Sequence, residues 1–596
     1  MKKFLTLMLC TFLVISLLAA CGSKKEATTE TKKEATTDQG KDATTENKTE
    51  TKTEPTTEAT NDQPKPGGKV TYGYGQPFKG LLESAFWQGQ DDGLIISVID
   101  DSLFKTGDDL KNYPNIASWT ESPDHKTFKF TIKQGVKWHN GDELTVEDWK
   151  FALEVIAHKD YTGPRYSNVE MIQGAKEYHE GKAKEISGIK VIDPYNIEIT
   201  VNKAAVNTLD NLWSSPMNKK YYEGVPVAKM ESSDQVRKNP IGLGPFKVKK
   251  IQPGEFVELE RFDDYWQGKP YLDTIVYKVI DDKLATSLLE KGEIDYMSLP
   301  NSQYKEAEKL KNISLTKNDS LSYSYIGFSL GHWDKKQEKV VMDKPKFADK
   351  RLRQAMYYAI DVPGMIDGFS NGLGTPIYAP MPTVSWAKIP DDQITKYSYD
   401  PEKAKQLLDE AGYKDVDGDG FREDPKGKKF TINFDAMQGS EIAEPRAQYI
   451  LQMWKDVGLN AKLNGGALKE FNLFYDTIQN DDPSVETFMG AWGLASDPDP
   501  SGLWTEKDAW NFPRWVNAAS DKLIADGIGE KAFDPEQRKQ IYFEWQKLVN
   551  EEVPMIFLSA PQDVAAINNR LKGVHLNSFS SSNLLDAHLW WVTDGK

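Results

Sequence analysis

The stretch GVKWHNGDELTVEDWKFAL, residues 135–153, sets a tight turn directly against the start of a helix. Gly141-Asp142 supplies a backbone turn that most residues resist. Thr145 then reads as an N-cap, with Asp148 three residues on in a capping-box arrangement, and Phe151, Ala152 and Val155 share one face. A helix is expected over residues 145–158. Upstream, FKFTI at 128–132 alternates with period two and reads as a strand. Downstream, a β-branched run at 275–280 follows the turn Gly268-Lys269-Pro270 and reads as another. Two further helices follow. In residues 347–360, Leu352, Ala355, Met356, Ala359 and Ile360 recur at helical spacing, and this face meets a core. The second begins at Asp400 as N-cap and Pro401 as first helical residue, buries Ala404, Leu407, Leu408 and Ala411, and stops at Gly412. Helices interleaved with strands predict α/β or mixed α+β layering, and no internal repeat is visible.

The amino terminus is of a different kind. Lys2 and Lys3 precede an apolar run from Phe4 to Leu18, the form of an export signal. The run is shorter than the ~20 apolar residues a membrane span needs. It ends in Leu18-Ala19-Ala20-Cys21-Gly22, which resembles the lipobox of bacterial lipoproteins and implies that Cys21 carries the lipid once residues 1–20 are removed. Of the two cysteines, Cys10 leaves with the signal, so the mature chain has no internal disulfide. Residues 23–66 are rich in Lys, Thr and Glu and nearly free of apolar side chains, so they are expected to form a flexible tether. A coil of that length reaches ~35–40 Å. These features place the protein on the outer face of the bacterial cytoplasmic membrane, held by its lipid.

The remaining body is long enough for several domains. The net charge of −16 argues against nucleic acid and against docking on an anionic bilayer, since both reward clustered Lys and Arg.

Five motifs occur in order along this body: GVKWHNGDELTVEDWKFAL, NPIGLGPFKV at 239–248, RFDDYWQGKPYLDTIVYKVI followed by GEIDY, RLRQAMYYAID at 351–361, and YDPEKAKQLLDEAGY at 399–413. Together they resemble the extracellular solute-binding proteins of peptide-type ABC importers, family 5, and most of all their oligopeptide-binding lipoproteins. The resemblance implies a two-lobed clamshell of periplasmic-binding-protein type. Domain I is discontinuous (67–106, 237–325 and 561–596), a small domain II is inserted at 107–236, and domain III, at 326–560, is the second lobe. It also implies an oligopeptide ligand, permease subunits as partners, a monomer, and no cofactor or catalytic residue. Another solute on the same fold, such as a nickel complex, a sugar or a signalling peptide, is the alternative; a surface hydrolase is the alternative from another class.

The segment expected to meet ligand is GAWGLASDPDPSGLW, residues 490–504. Its small residues admit a second backbone, so an extended peptide can pair with it through main-chain hydrogen bonds. Trp492 either walls a pocket or is a core tryptophan, and Gly493, Leu494, Ala495 and Ser496 continue the strand. Many relatives carry, just past this strand, an aspartate that pairs with the peptide amino group. Here that position falls on Ala495, Ser496 or Asp497 according to where the gap is placed. Asp497 is the candidate amine partner, with a turn role beside Pro498 as the other reading. Tyr72 and Tyr74, in the first strand of the body, are further candidates for the cleft floor.

Other motifs weigh less. Gly368-Phe369-Ser370-Asn371-Gly372 has the spacing of a hydrolase nucleophile elbow, but a helix precedes it and a turn follows, the reverse of the required order. The seven histidines form no HExxH. Asp415, Asp417 and Asp419 imitate the first half of a calcium loop, whose twelfth position is Lys426 instead of a glutamate.

Overall fold

The computed structural model describes residues 63–577, 579 and 586–595. The export signal, Cys21 and nearly all of the tether lie outside the described residues. No helix among the described residues is long and apolar enough to cross a membrane.

The first large layer is an eight-stranded mixed sheet. Its order is Ile313–Asp319, Ser559–Asn568, Tyr296–Leu299, Lys69–Tyr74, Thr274–Val279, Phe256–Arg261 and Phe246–Gln252, with Gly374–Pro376 added to Ser559–Asn568. Lys69–Tyr74 runs parallel to both of its neighbours, which requires crossover connections. Both faces of this sheet are covered. Ala565 joins a core with Val70, Tyr72, Tyr277 and Trp590, whereas Val564 and Ala566 point into another with Leu289, Ile294 and Leu299. That alternation follows from the period of two along a strand.

One crossover from Lys69–Tyr74 to Phe246–Gln252 contains a small domain. It is built on the four-stranded antiparallel sheet Ala117–Glu121, Thr127–Ile132, Asn196–Thr200 and Ile189–Asp193. The helix Val146–Ala157 lies on it, burying Trp149, Ala152, Leu153 and Ile156. The Thr145 backbone N–H donates to the Asp148 carboxylate at 2.9 Å, closing the expected capping box. The core of this domain also takes in Leu81, Ala85 and Phe86, which precede the limit implied by the family.

The second lobe is organised on a five-stranded sheet ordered Asn460–Leu463, Thr431–Asp435, Thr487–Gly493, Ser322–Phe328 and Met555–Phe557. Its helices supply the largest core. The helix expected within residues 347–360 is Lys350–Tyr358, started by Asp349, whose carboxylate accepts from the Arg351 N–H at 2.9 Å. Leu352, Ala355, Met356, Ala359 and Ile360 are fully buried. Pro401–Glu410 starts at Asp400 and ends before Gly412, which has φ of 90°.

The chain passes from the eight-stranded to the five-stranded sheet at Ser320-Leu321 and returns at Leu558. The two crossings lie side by side: the Ser320 N–H donates to the Pro561 carbonyl at 3.1 Å and the Leu558 N–H to the Ser324 carbonyl at 2.9 Å. A domain limit at 325/326 would cut the strand Ser322–Phe328, and one at 560/561 would cut Ser559–Asn568.

Candidate functional site

The strand Thr487–Gly493 is buried at its start and open at its end. It pairs antiparallel with Ser322–Phe328 along its whole length, from Thr487 opposite Phe328 to Gly493 opposite Ser322. On its other side it meets Thr431–Asp435 only through Thr487 and Phe488. Among the described residues no strand pairs with that edge beyond Phe488. Ala491 and Gly493 are exposed, and a Cβ placed on Gly493 would meet nothing within 4 Å. An unpaired edge with small side chains and free space beside it is a template for an added strand.

This edge opens on a cavity of about 650 Å³ between the two large sheets. Ala491, Trp492, Gly493, Leu494 and Ser496 line it from the second lobe. Tyr74, Ser298, Ser320 and Asp563 line it from the first. Trp492 answers to both of its readings. Its indole stacks on Phe512, with ring centroids 5.1 Å apart, and also walls the cavity. Its buried Nε1–H has no acceptor. Ala495 and Asp497 line an adjoining pocket of about 230 Å³, apolar through Pro380, Met381, Trp504 and Trp510.

Electrostatically the cavity has one sign. Burial raises the Asp563 carboxyl above its ordinary value, and the Ser320 hydroxyl offsets part of that rise. The Tyr74 hydroxyl is pushed up to about 12 by burial, with Asp91 and Asp282 adding to it.

Two candidate residues stand elsewhere than expected. Tyr72 is fully buried in the core of the eight-stranded sheet, stacked on Tyr277 at 5.0 Å and edge-on to Tyr296 at 4.9 Å. The two side chains, two residues apart, share a face of the strand and both pack against Tyr277; Tyr72 lies deep in that core, whereas Tyr74, at the strand's end, is half-buried and reaches the cavity. Asp497 is occupied by a cation of the protein itself: Arg538 Nη2 donates to its Oδ1 at 2.7 Å, with both side chains over nine-tenths buried. An amine partner needs a carboxylate open to ligand, and this one is closed by Arg538. The Asp497 Oδ1 also accepts from the Asp499 N–H at 3.1 Å, so the turn reading describes it better.

Asp415, Asp417 and Asp419 come together on an exposed loop, with oxygens within 4.8 Å of one another. Their carboxylates accept from loop amides, including Gly418 and Gly420 onto Asp415 at 2.7 and 2.9 Å. Lys429 Nζ sits 2.5 Å from Asp417 and 2.6 Å from Asp419, where a cation would be. Its ammonium supplies the positive charge that the half calcium loop lacks. At Ser370 the order is helix then turn: Val362–Ser370 ends at Asn371, whose φ is 53°.

Asp563, Ser320 and Ser298 escaped the sequence reading. The one signal was an acid inside a run of apolar strand residues, Ala560 to Ile567. Nothing local tells which sheet face it takes.

Two lobes joined by paired crossings, with an open strand edge in the cavity between them, define a binding protein of clamshell type. The family model for bacterial extracellular solute-binding proteins, family 5, matches residues 113–512, and the chain belongs to that family. It is 32% identical over 540 residues to the oligopeptide-binding protein AppA of Bacillus subtilis, covering 89% of this chain and 92% of that one. The oligopeptide-binding protein OppA of Lactococcus lactis subsp. cremoris is 29% identical over 584 residues, covering 95% and 94%. The structure of the Bacillus subtilis protein in complex with a nonapeptide superposes with a TM-score of 0.73 at 30% identity, covering 89% of this chain and all of that one. Lactococcal OppA with an endogenous peptide, in the closed conformation, gives 0.77 at 27% identity, covering 88% and 99%.

Proposed function

We propose that this protein is a lipid-anchored extracellular receptor that captures oligopeptides between its lobes and delivers them to the permease of an ABC importer. The observation that carries this reading is the unpaired edge of Thr487–Gly493 facing an interlobe cavity. An extended peptide laid against that edge gains main-chain hydrogen bonds whatever its sequence. The adjoining pocket of Met381, Trp504 and Trp510 suits one apolar side chain. The relatives named above bind oligopeptides, and two of them were solved with peptide bound. The protein binds and releases its ligand unaltered and acts as a monomer, with domain changes at Ser320-Leu321 and Leu558 serving as the hinge. Mass spectrometry of the ligand that co-purifies with the native protein tests this: a mixture of peptides is expected, and recovery of a non-peptide solute overturns the substrate.

The lipid on Cys21 keeps the loaded receptor beside its permease, and the tether lets the body turn to dock. Cys21→Ala is therefore expected to leave peptide affinity in solution unchanged while peptide uptake by cells falls at least tenfold, since loss of the acyl chains removes ~0.8 kcal/mol per buried methylene. Calorimetry and radiolabelled uptake read the two effects separately, and weakened binding by the variant contradicts the separation of roles.

A further inference from the structure

We propose that a second, smaller cavity, behind the wall of the interlobe cavity, binds one free α-amino acid as a zwitterion: Lys105 takes its carboxylate, Asp586 its ammonium, and His588 adds a hydrogen bond. The two cavities share no lining residue, so this site is separate from the one assigned to peptide.

The second cavity has a volume of about 340 Å³ and lies where the small domain meets the first lobe. That is the lower end of the range for small-molecule sites and too little for an extended oligopeptide. Helix Gln90–Ile99 turns Gln90 and Leu94 to the interlobe cavity and Gly93, Ile96 and Ser97 to the second one. On the strand Phe104–Thr106, Thr106 faces the first and Lys105 the second, as alternation along a strand requires.

Most polar groups of this lining are already used. Asp101 accepts from Asn115 at 2.6 Å, Trp266 at 2.9 Å and Tyr265 at 3.0 Å. Asp100 accepts from the Leu243 N–H at 3.3 Å and from the Ser84 hydroxyl. Three groups remain unspent. His588 is 9% exposed and lines the cavity, yet its Nδ1 has no hydrogen-bond partner, a cost that a buried polar atom carries until a ligand meets it. Asp586 stands at the N-cap of the turn Ala587–Leu589, where an aspartate ordinarily accepts from the turn's own amides; here its side chain caps nothing. Lys105 forms no ion pair among the described residues, and neither does Asp586. Both act on the His588 ring, in opposite directions, which puts one free charge of each sign beside it.

One ammonium, one carboxylate and a buried imidazole match the two charged ends of an amino acid. A solute with one charge leaves the other group unused. A metal ion does not suit the site, because among the described residues its carboxylates and imidazole do not gather closely enough to hold one. The apolar part of the lining is aromatic. Trp87 and Trp213 are half-buried, with the Arg165 guanidinium 4.3 Å from the first ring and 5.9 Å from the second. The Trp213 Nε1–H is taken by the Ser215 carbonyl at 2.7 Å, so what this indole offers is apolar surface. An apolar or aromatic side chain of the ligand packs there.

Titration calorimetry tests this on the full-length protein saturated with a nonapeptide, the ligand class bound by the Bacillus subtilis relative, so that the interlobe cavity is filled. The titrants are the proteinogenic amino acids one by one and, for the tightest, its N-acetyl and C-amide derivatives. One-to-one binding of at least one free amino acid is expected, with each derivative about tenfold weaker, as for the loss of one charge-assisted hydrogen bond. Lys105→Met is expected to bind acid and amide alike while still rejecting the N-acetyl form. Asp586→Asn is expected to bind amine and N-acetyl forms alike while still rejecting the amide. Unchanged nonapeptide affinity certifies the fold of both variants. No binding of any amino acid by the peptide-loaded wild type, equal binding of free and capped forms, or a discrimination that survives both substitutions overturns the site and leaves the receptor standing. A protein that takes no nonapeptide yet binds the amino acid with these preferences overturns the receptor reading and supports the site. Should a variant fail to fold, the wild-type ranking of free against capped forms decides.

Discussion

Replacing Arg353 with methionine is expected to lower the unfolding free energy of the second lobe by about 3–5 kcal/mol, the range for removing one partner from a buried charged network. Arg353 is 1% exposed, and its guanidinium is spent on backbone carbonyls. Nη1 donates to the Phe347 and Ala348 carbonyls at 2.5 and 3.0 Å, Nε to Val553 at 2.9 Å and Nη2 to Glu552 at 2.5 Å. These last two acceptors end the helix Pro535–Glu552, which stops at Val553 with φ of 47°, a left-handed conformation costly for a β-branched residue. No lysine, arginine or histidine lies in the last turn of that helix. Arg353 therefore supplies from another helix both the donors and the positive charge that a helix C-terminus wants. Burial pulls the guanidinium down to about 10, so it stays charged at neutral pH. Methionine fills the volume but leaves those carbonyls dry and unpaired. Lysine restores a charge without the planar fork and is expected to recover part of the loss. Guanidinium denaturation followed by tryptophan fluorescence reads the difference; a change under 1 kcal/mol contradicts the capping role.

What could be read in the sequence was local. The Thr145 and Asp148 box and the Asp400, Pro401 and Gly412 frame involve residues within one or three turns of each other, and the structure has them as expected. The glycines of the quoted motifs serve two different ends. Gly141 does have φ of 88°, whereas Gly242 and Gly244 are glycines because helix Gln90–Ile99 ends against them. A Cβ on Gly242 would stand 2.0 Å from the Ile99 carbonyl oxygen. Such a long-range approach leaves no mark in the local pattern. The site failed in the same way. Tyr72 and Tyr74 share one face of their strand and differ in depth, which depends on where the sheet ends and the cavity begins. Asp497 looked open because its cation stands 41 residues further on. Asp563 was missed because its place in the cavity wall, beside Ser320, is a property that only the assembled sheets disclose.

The second large effect is expected at Arg538, through closure of the cleft. The small domain touches the second lobe at a polar cluster: Asn207 Nδ2 donates to Asp499 at 3.0 Å and to Asp497 at 3.5 Å, and the Val206 N–H donates to the Ile528 carbonyl at 3.2 Å. Asp210 faces the same cluster. Its carboxyl is pushed from the ordinary 3.8 up to about 6, first by burial and then by Asp497. Arg538 is the cation among these three carboxylates, held in addition by the Gly527 carbonyl at 2.9 Å. Removing it as Arg538→Met leaves Asp497, Asp499 and Asp210 to meet across the interface uncompensated. At pH 7.5 peptide affinity is expected to fall about a hundredfold, the lower end of the cost of an unpaired buried charge. The sign with pH follows from Asp210. The part of the rise that comes from Asp497 exists only in contact with the second lobe, so contact favours the protonated carboxyl and takes up a proton. Closure is therefore favoured as pH falls through about 6 and penalised as pH rises above it. In wild type, affinity is expected to rise between pH 7.5 and pH 5, by about tenfold at most, in the direction that linkage requires. The variant should show a steeper rise over the same range, because more carboxylates there need neutralising. Asp210→Asn removes the titrating group, so it is expected to flatten the wild-type profile and to restore part of the affinity lost by Arg538→Met. Peptide titrations across this pH range on the four proteins separate the cases: a flat wild-type profile, or no rescue by Asp210→Asn, would show that the cluster bears on the stability of the second lobe and not on closure.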